Sequence, residues 1–210
     1  MLTAILLGLQ MQKPAFVDDI QKFVDADKKA PPAKGQTLFI GSSSFTNWKD
    51  AQAYFPKHKI LNRAFGGSTL LDVLGYQHQI IFPYDPRQVV IYCGENDLAA
   101  GDQTLPAYAV LDRFTKLFGV IRAKYPSVPI AYVAMKPSPS RWHLRAKYMA
   151  GNKWIAEFLA GQKNTDFIDV WPVMLGPDGR PKPEIFIGDQ LHMNAEGYKL
   201  WAPLIERVLR

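Results

Sequence analysis

Short, nearly continuous apolar runs alternate with longer amphipathic segments along most of this 210-residue chain. Such runs are typical of parallel β-strands that are covered on both faces. An apolar stripe that repeats about every 3.6 residues is typical of a surface helix, and the clearest stripe lies in residues 107–124. The segments predicted as strands are 37–40, 59–62, 88–92, 129–135 and 166–170.

Amphipathic segments predicted as helices lie before, between and after these strands. They cover residues 15–28, 69–81, 107–124 and 141–159, and a last helix follows Asn194, which is a favourable N-cap. Strands that alternate with helices at this spacing predict a parallel sheet with helices on both faces. The expected fold class is therefore α/β, a three-layer α/β/α sandwich around a central five-stranded parallel sheet.

Length and composition fit one domain, which we expect to span residues 13–210. A chain of 210 residues with 48% hydrophobic content can bury one full core. Residues 1–12 contain the apolar run 2–9, which resembles the end of a secretory signal. That run is far shorter than the ~20 residues of a membrane-spanning helix. We therefore expect no stable membrane span and a periplasmic or secreted location, with the cytoplasm as the alternative.

The net charge of +6 does not by itself indicate a nucleic-acid partner, because lysine and arginine are spread along the chain without a long run. We expect a small-molecule partner instead. Nothing in the sequence specifies an oligomeric state. The single cysteine, Cys93, lies in an apolar run and is expected to be a core residue rather than a nucleophile. The four histidines show no paired spacing, so neither a metal nor another cofactor is expected.

Polar segments that contain glycine follow three of the predicted strands. They are Gly41-Ser42-Ser43-Ser44, Gly66-Gly67-Ser68 and Gly94-Glu95-Asn96-Asp97. The carboxyl ends of parallel strands share one edge of the sheet, and ligands bind outside that edge. A serine that begins a helix there lies where backbone N–H groups favour negative charge. Spacing alone leaves open which of the three serines is the nucleophile.

A fourth segment, Asp189-Gln190-Leu191-His192, contains a candidate base for this serine. An aspartate three residues before a histidine can contact Nδ1 and leave Nε2 free to accept the serine proton. The Asn96 amide and the Gly67 backbone could supply hydrogen bonds to an oxyanion. Each segment taken singly is more often a cap, a turn or a solvated loop, so the prediction depends on all four converging.

Together and in this order, the four segments resemble the conserved blocks of the SGNH hydrolases, also called GDSL esterases and lipases. The resemblance spans residues 37–210 and implies a flavodoxin-like fold and acyl-ester hydrolysis without a cofactor. It implies a catalytic triad and an oxyanion hole, and the nucleophilic serine belongs to both. The implied catalytic residues are Ser43, Asp189 and His192, and the implied oxyanion donors are Ser43, Gly67 and Asn96.

The first block departs from the pattern that the family name describes. Gly-Ser-Ser-Ser stands where Gly-Asp-Ser-Leu is implied, as in a bacterial subgroup, so Ser42 replaces the aspartate and Ser44 the leucine. No apolar lid insertion is evident, which favours a short acyl group, such as acetyl on a carbohydrate. The groups expected to contact the substrate are Ser44, Arg141 and Trp142.

Three other functions stay open at this stage. One is a lysophospholipase or thioesterase, and another is an O-acyltransferase that uses the same triad. The third is a binding module on an inactive scaffold, which would be expected to have lost a triad or oxyanion residue. No such position is lost in this sequence, so the expected partner remains a small-molecule ester.

Overall fold

A computed structural model describes residues 14–99 and 104–210, so the predicted leader at residues 1–12 lies outside the described residues. The five predicted strands form one sheet, in which every pair is parallel. The strand order is β2-β1-β3-β4-β5, which confirms the predicted α/β class. The strands are β1 (Thr37–Gly41), β2 (Ile60–Asn62), β3 (Gln88–Tyr92), β4 (Ile130–Val133) and β5 (Thr165–Ile168).

Ten α-helices occur in the described part of the chain. They are α1 (Val17–Lys29), α2 (Ser43–Thr46), α3 (Ala51–Tyr54), α4 (Leu70–Gly75), α5 (Gln77–Ile80), α6 (Glu95–Ala99), α7 (Tyr108–Lys124), α8 (Arg145–Ala160), α9 (Trp171–Met174) and α10 (Ala195–Glu206). The helix predicted over residues 69–81 is divided into α4 and α5 after Gly75, a residue of low helix propensity. None of the helices in the described ranges is long and apolar enough to cross a bilayer.

Helices cover both faces of the sheet. Ile91 lies beside Tyr132 in the register of β3 and β4, so Tyr92 points to the opposite face from Tyr132. On one face, Phe114 of α7 packs edge-on against Tyr132, with ring centroids 5.0 Å apart. On the other, Trp201 of α10 packs against Tyr92 at 4.9 Å. The predicted three-layer α/β/α sandwich is confirmed.

The strand order places a crevice beside β1. This strand pairs with β2 on one side and β3 on the other, so the connections that leave β1 and β3 diverge at their carboxyl ends. Ligands of doubly wound α/β proteins bind at such a switch point. Gly41 ends β1 opposite Tyr92 in the register, and both the serine segment and the Gly94 segment begin there.

Candidate active site

The serine segment makes a tight turn from β1 into α2. Gly41 has a φ of 125°, and a Cβ on it would lie 1.9 Å from the Tyr92 carbonyl oxygen, so only glycine fits. Ser42 precedes α2 as its N-cap residue and is 5% exposed, and Ser44 is 0% exposed. Ser43, the first residue of α2, is the one serine of the turn that is partly exposed.

The glycine pair after β2 borders this turn. A Cβ on Gly66 would lie 3.9 Å from Cβ of Ser43, and Ser68 donates its hydroxyl to the carbonyl of Gly41 at 3.0 Å. Gly67 has a φ of 83° and is exposed. The loop is therefore anchored to the end of β1, and the Gly67 backbone remains accessible beside the serine turn.

Asn96 reaches the serine turn from α6, and each polar atom of its side-chain amide has a partner. Its Nδ2 donates to Oγ of Ser42 at 2.9 Å and to the carbonyl of Ser68 at 3.1 Å. Its Oδ1 accepts a hydrogen bond from the Arg141 guanidinium at 3.0 Å. The residue is 8% exposed, so these contacts hold the amide in one place at the edge of the sheet.

Asp189 and His192 are joined by a compact turn in which Gln190 has a φ of 55°. Oδ2 of Asp189 lies 2.5 Å from Nδ1 of His192, and Oδ1 accepts the backbone N–H groups of Leu191 and His192, each at 2.9 Å. Burial alone would raise the pKa of Asp189, but these hydrogen bonds outweigh it and lower the pKa to about 2. Nε2 of His192 has no hydrogen-bond partner in the described part of the chain.

Hydrogen bonds connect the histidine loop to the serine turn through a third loop. The backbone N–H of Ser140 donates to the carbonyl of Gln190 at 3.1 Å. The adjacent residue, Arg141, donates to Asn96, which in turn donates to Ser42. A chain of hydrogen bonds therefore links segments that are far apart in the sequence, from the histidine loop to the serine turn.

Helix α10 also contacts the serine turn. Asn194 caps it, as predicted, by accepting the N–H groups of Glu196 and Gly197 at 3.0 and 3.3 Å. One turn later, the Tyr198 hydroxyl donates to the Ser44 carbonyl at 2.8 Å. The helix that begins directly after the histidine loop is thus tied to the serine turn.

The three residues expected to contact the substrate lie in different surroundings. Full burial of Ser44 does not favour a substrate contact, whereas Arg141 and Trp142 are both partly exposed. The centroids of the Trp142 and Trp171 rings lie 6.1 Å apart. The Arg145 guanidinium lies 5.3 Å from the centroid of the Trp142 ring. Trp142 also lines a cavity of about 310 Å³ together with Pro139, Asp178, Arg180, Pro181 and Pro183.

A buried ion pair beneath this edge was not singled out by the sequence. Nζ of Lys136 lies 3.0 Å from Oε2 of Glu95, and the Tyr92 hydroxyl donates to the same oxygen at 2.6 Å. Burial lowers the pKa of Lys136, and the Glu95 carboxylate opposes that shift. The available signal was a lysine directly after the apolar run 129–135, at the edge of the sheet where polar groups gather.

Residues 35–200 match the GDSL-like Lipase/Acylhydrolase family. Among solved structures, a candidate acylhydrolase from Bacteroides fragilis is 19% identical, with a TM-score of 0.79 over 93% of this chain and 97% of that chain. A GDSL-like lipase from Bacteroides thetaiotaomicron is 17% identical, with a TM-score of 0.73 over 90% and 96%.

A variant of an acetyl-xylooligosaccharide esterase from a Geobacillus species is 15% identical, with a TM-score of 0.65 over 84% of this chain and 94% of that chain. No curated protein matches the sequence. At these identities the solved structures establish a shared fold, and the family match covers most of the chain. This protein therefore belongs to the GDSL-like lipase and acylhydrolase family.

Proposed function

We propose that this protein is a serine esterase that removes short acyl groups. Ser43 is the nucleophile, His192 the general base, and Asp189 the group that orients the imidazole. One observation carries the proposal: His192 contacts Asp189 through Nδ1, while its Nε2 has no hydrogen-bond partner among the described residues. The loop that holds both residues accepts a hydrogen bond from Ser140, next to the Arg141 that contacts Asn96. The partial exposure of Ser43 supports its choice over its two buried neighbours.

The reaction needs only proton transfer and covalent catalysis by the chain's own residues. Oγ of Ser43 attacks the ester carbonyl while its proton moves to Nε2 of His192. When the tetrahedral intermediate collapses, His192 returns that proton to the leaving alcohol. Water then attacks the acyl-serine and gives a proton to Nε2, and the carboxylic acid leaves as the proton returns to Ser43.

The negative charge of the intermediate requires hydrogen-bond donors at the edge of the sheet. We assign the backbone N–H groups of Ser43 and Gly67 and the Nδ2 group of Asn96. The N–H of Asn96 that now points to Oγ of Ser42 is the one that would serve the oxyanion. Loss of one such donor typically costs about 3 kcal/mol of transition-state stabilisation.

An acetyl group on a carbohydrate is the substrate that we favour. Two structures that share the fold are named as a carbohydrate esterase of family 3 and an acetyl-xylooligosaccharide esterase. The cavity beside Trp142 has a mixed lining of aromatic, proline and charged side chains, including Asp178 and Arg180. Sugar sites commonly combine an aromatic face with polar groups that fix orientation.

A panel of esters tests the proposal. The panel contains p-nitrophenyl acetate, butyrate and octanoate, acetylated xylo-oligosaccharides and a lysophospholipid. We expect the acetyl esters to be cleaved fastest, and Ser43→Ala to reduce kcat/KM at least about a thousandfold. Ser127→Ala, which changes an exposed serine outside the site, is the matched control and should retain full activity. Full activity in Ser43→Ala would overturn the assignment.

Product analysis separates hydrolysis from acyl transfer. The acetyl ester is incubated with and without an acceptor alcohol, and the free acid and the new ester are both quantified. A hydrolase releases the acid in nearly equal amounts in the two reactions. A new ester as the main product would instead show an O-acyltransferase that uses the same residues.

A further inference from the structure

We infer that Arg141 is a positioning residue that orients the Asn96 amide for the oxyanion; this rests on the proposed function. The guanidinium does not reach the serine turn directly in any hydrogen bond found among the described residues. It donates to Oδ1 of Asn96 at 3.0 Å, and Asn96 in turn donates to Ser42 and to the Ser68 carbonyl. Arg141 therefore acts on the turn through Asn96.

The chemistry of the two ends of the amide makes the orientation unique. A guanidinium has only hydrogen-bond donors, so Arg141 can bond only to the amide oxygen of Asn96. A carbonyl oxygen is only an acceptor, so the Ser68 carbonyl can bond only to the NH₂ group. If the Asn96 amide turned by 180°, donor would face donor at Arg141 and acceptor would face acceptor at Ser68. The Ser68 contact is buried and the Arg141 contact is partly buried, so turning the amide would leave at least the buried pair without a partner.

The backbone at Asn96 is anchored through the preceding residue, and the Arg141 guanidinium also interacts with the Tyr148 side chain that takes part in this anchor. The preceding residue, Glu95, is anchored by Lys136 through its carboxylate and by the Tyr148 hydroxyl, which donates to its carbonyl at 3.3 Å. Arg141 is itself held in a tight turn, because its carbonyl accepts the N–H of Leu144 at 2.9 Å. The guanidinium is thus presented to Asn96 from an anchored loop.

The charge of Arg141 adds to this alignment. A charged donor makes a stronger hydrogen bond to the amide oxygen than a neutral one, and it polarises the amide so that its N–H groups become better donors. An oxyanion hole depends on donors that are already aligned before charge develops. Loss of Arg141 should therefore lower kcat, whereas a residue that binds the ground-state ester would mainly change KM.

A double-mutant cycle on p-nitrophenyl acetate tests the coupling, because the leaving group of this ester carries no sugar. We expect Arg141→Gln to reduce kcat between about tenfold and a hundredfold, less than the loss of a whole donor, with KM changed less than about twofold. In an Asn96→Ala background the same change should alter kcat less than about twofold. Arg141→Lys should recover part of the loss, and Arg87→Gln, which changes an exposed arginine, is the control.

Equal fold-losses from Arg141→Gln in the two backgrounds would overturn the inference, because they would show that Arg141 acts without Asn96. So would a change confined to KM. If the unmodified chain hydrolyses no ester, the proposed function fails, and a measurement that needs no activity then decides the role of Arg141.

That measurement is the exchange of the Asn96 side-chain NH₂ protons with water, followed by NMR. In the unmodified chain both protons are hydrogen-bonded, and we expect Arg141→Gln to speed their exchange at least about tenfold while backbone amides of the sheet keep their protection. Unchanged exchange at Asn96 would show that Arg141 does not hold the amide, whatever the activity.

Discussion

The ammonium group of Lys136 lies 3.0 Å from Oε2 of Glu95, and the two side chains are only 1% and 8% exposed. The Tyr92 hydroxyl completes the cluster by donating to the same carboxylate oxygen. Taking two charges out of water is costly, and their attraction offsets this only while both partners are present. Replacing either side chain alone is therefore expected to destabilise the fold.

Lys136→Met should lower the free energy of unfolding by about 3–5 kcal/mol, because it leaves the Glu95 carboxylate buried without a counter-ion. Urea unfolding followed by circular dichroism measures the change. The matched control is Lys153→Met, which removes an exposed i,i+4 pair with Glu157 and should change stability by less than about 1 kcal/mol. Equal losses in the two variants would contradict a special role for the buried pair.

Gly41→Ala is expected to prevent stable folding, because the new Cβ would overlap the Tyr92 carbonyl at a φ that favours glycine. Gly35→Ala provides the control. Gly35 also has a positive φ, 72°, but nothing lies within 4 Å of its Cβ position, so we expect a cost of only about 1 kcal/mol. Thermal unfolding compares the two. If Gly41→Ala unfolded at the same temperature as Gly35→Ala, the close approach of β1 and β3 would be contradicted.

The pH dependence of kcat/KM should contain no protonation step from Asp189 above about pH 4. The hydrogen bonds around Asp189 depress its pKa in the folded chain to about 2, below the ordinary value of about 3.9. Its stabilising contribution is thus present above the ordinary pKa and is lost only as the pH falls toward 2. Asp189 is therefore expected to stay ionised above about pH 4 and to add no protonation step to the profile there. A protonation step near pH 4 that disappears in Asp189→Asn would contradict this.

Asp189→Asn should reduce kcat by about four orders of magnitude, because the amide cannot both fix the tautomer of His192 and stabilise its charged form. Asp112→Asn is the matched control. Asp112 forms an exposed i,i+4 pair with Lys116, so its replacement should leave kcat unchanged. A kcat in Asp189→Asn within about tenfold of the unmodified chain would remove Asp189 from the proposed mechanism.

The thiol of Cys93 should be unreactive in the native chain. Cys93 is 2% exposed, and burial raises its pKa well above the ordinary range, so little thiolate forms. We expect a disulfide reagent that reports free thiols to react with one thiol per chain only after unfolding in denaturant. Rapid reaction of the native chain would contradict its expected place in the core.

The strands were predicted more accurately than the short helices. β3 matches its predicted bounds, and β1 extends one residue further, because each residue of these apolar runs is buried. The run 129–135 forms a strand only over Ile130–Val133. Val133 pairs with Ile168, the last residue of β5, so the hydrogen-bonded pairing of the two strands ends there. Helices such as α2 and α6 have four or five residues, too few to show a periodic stripe.

Site contacts were predictable only when they were local. Asp189 and His192 are three residues apart, so a tight turn suffices to join them, and the predicted contact at Nδ1 is present. The contact of Arg141 with Asn96 spans 45 positions, and no pattern in either segment indicated it. Arg141 was expected to contact the substrate, and its position beside Asn96 became visible only in the folded chain.

By itself, the sequence determined the alternation of strands and helices, the parallel sheet, and the edge at which the glycine-containing segments end. These features follow from local hydrophobic periodicity and from backbone geometry. Only the tertiary structure decided which serine of the turn reaches solvent, what holds the Asn96 amide, and that Lys136 pairs with Glu95. Those outcomes depend on how segments more than forty residues apart pack against each other, and local sequence patterns do not indicate such contacts.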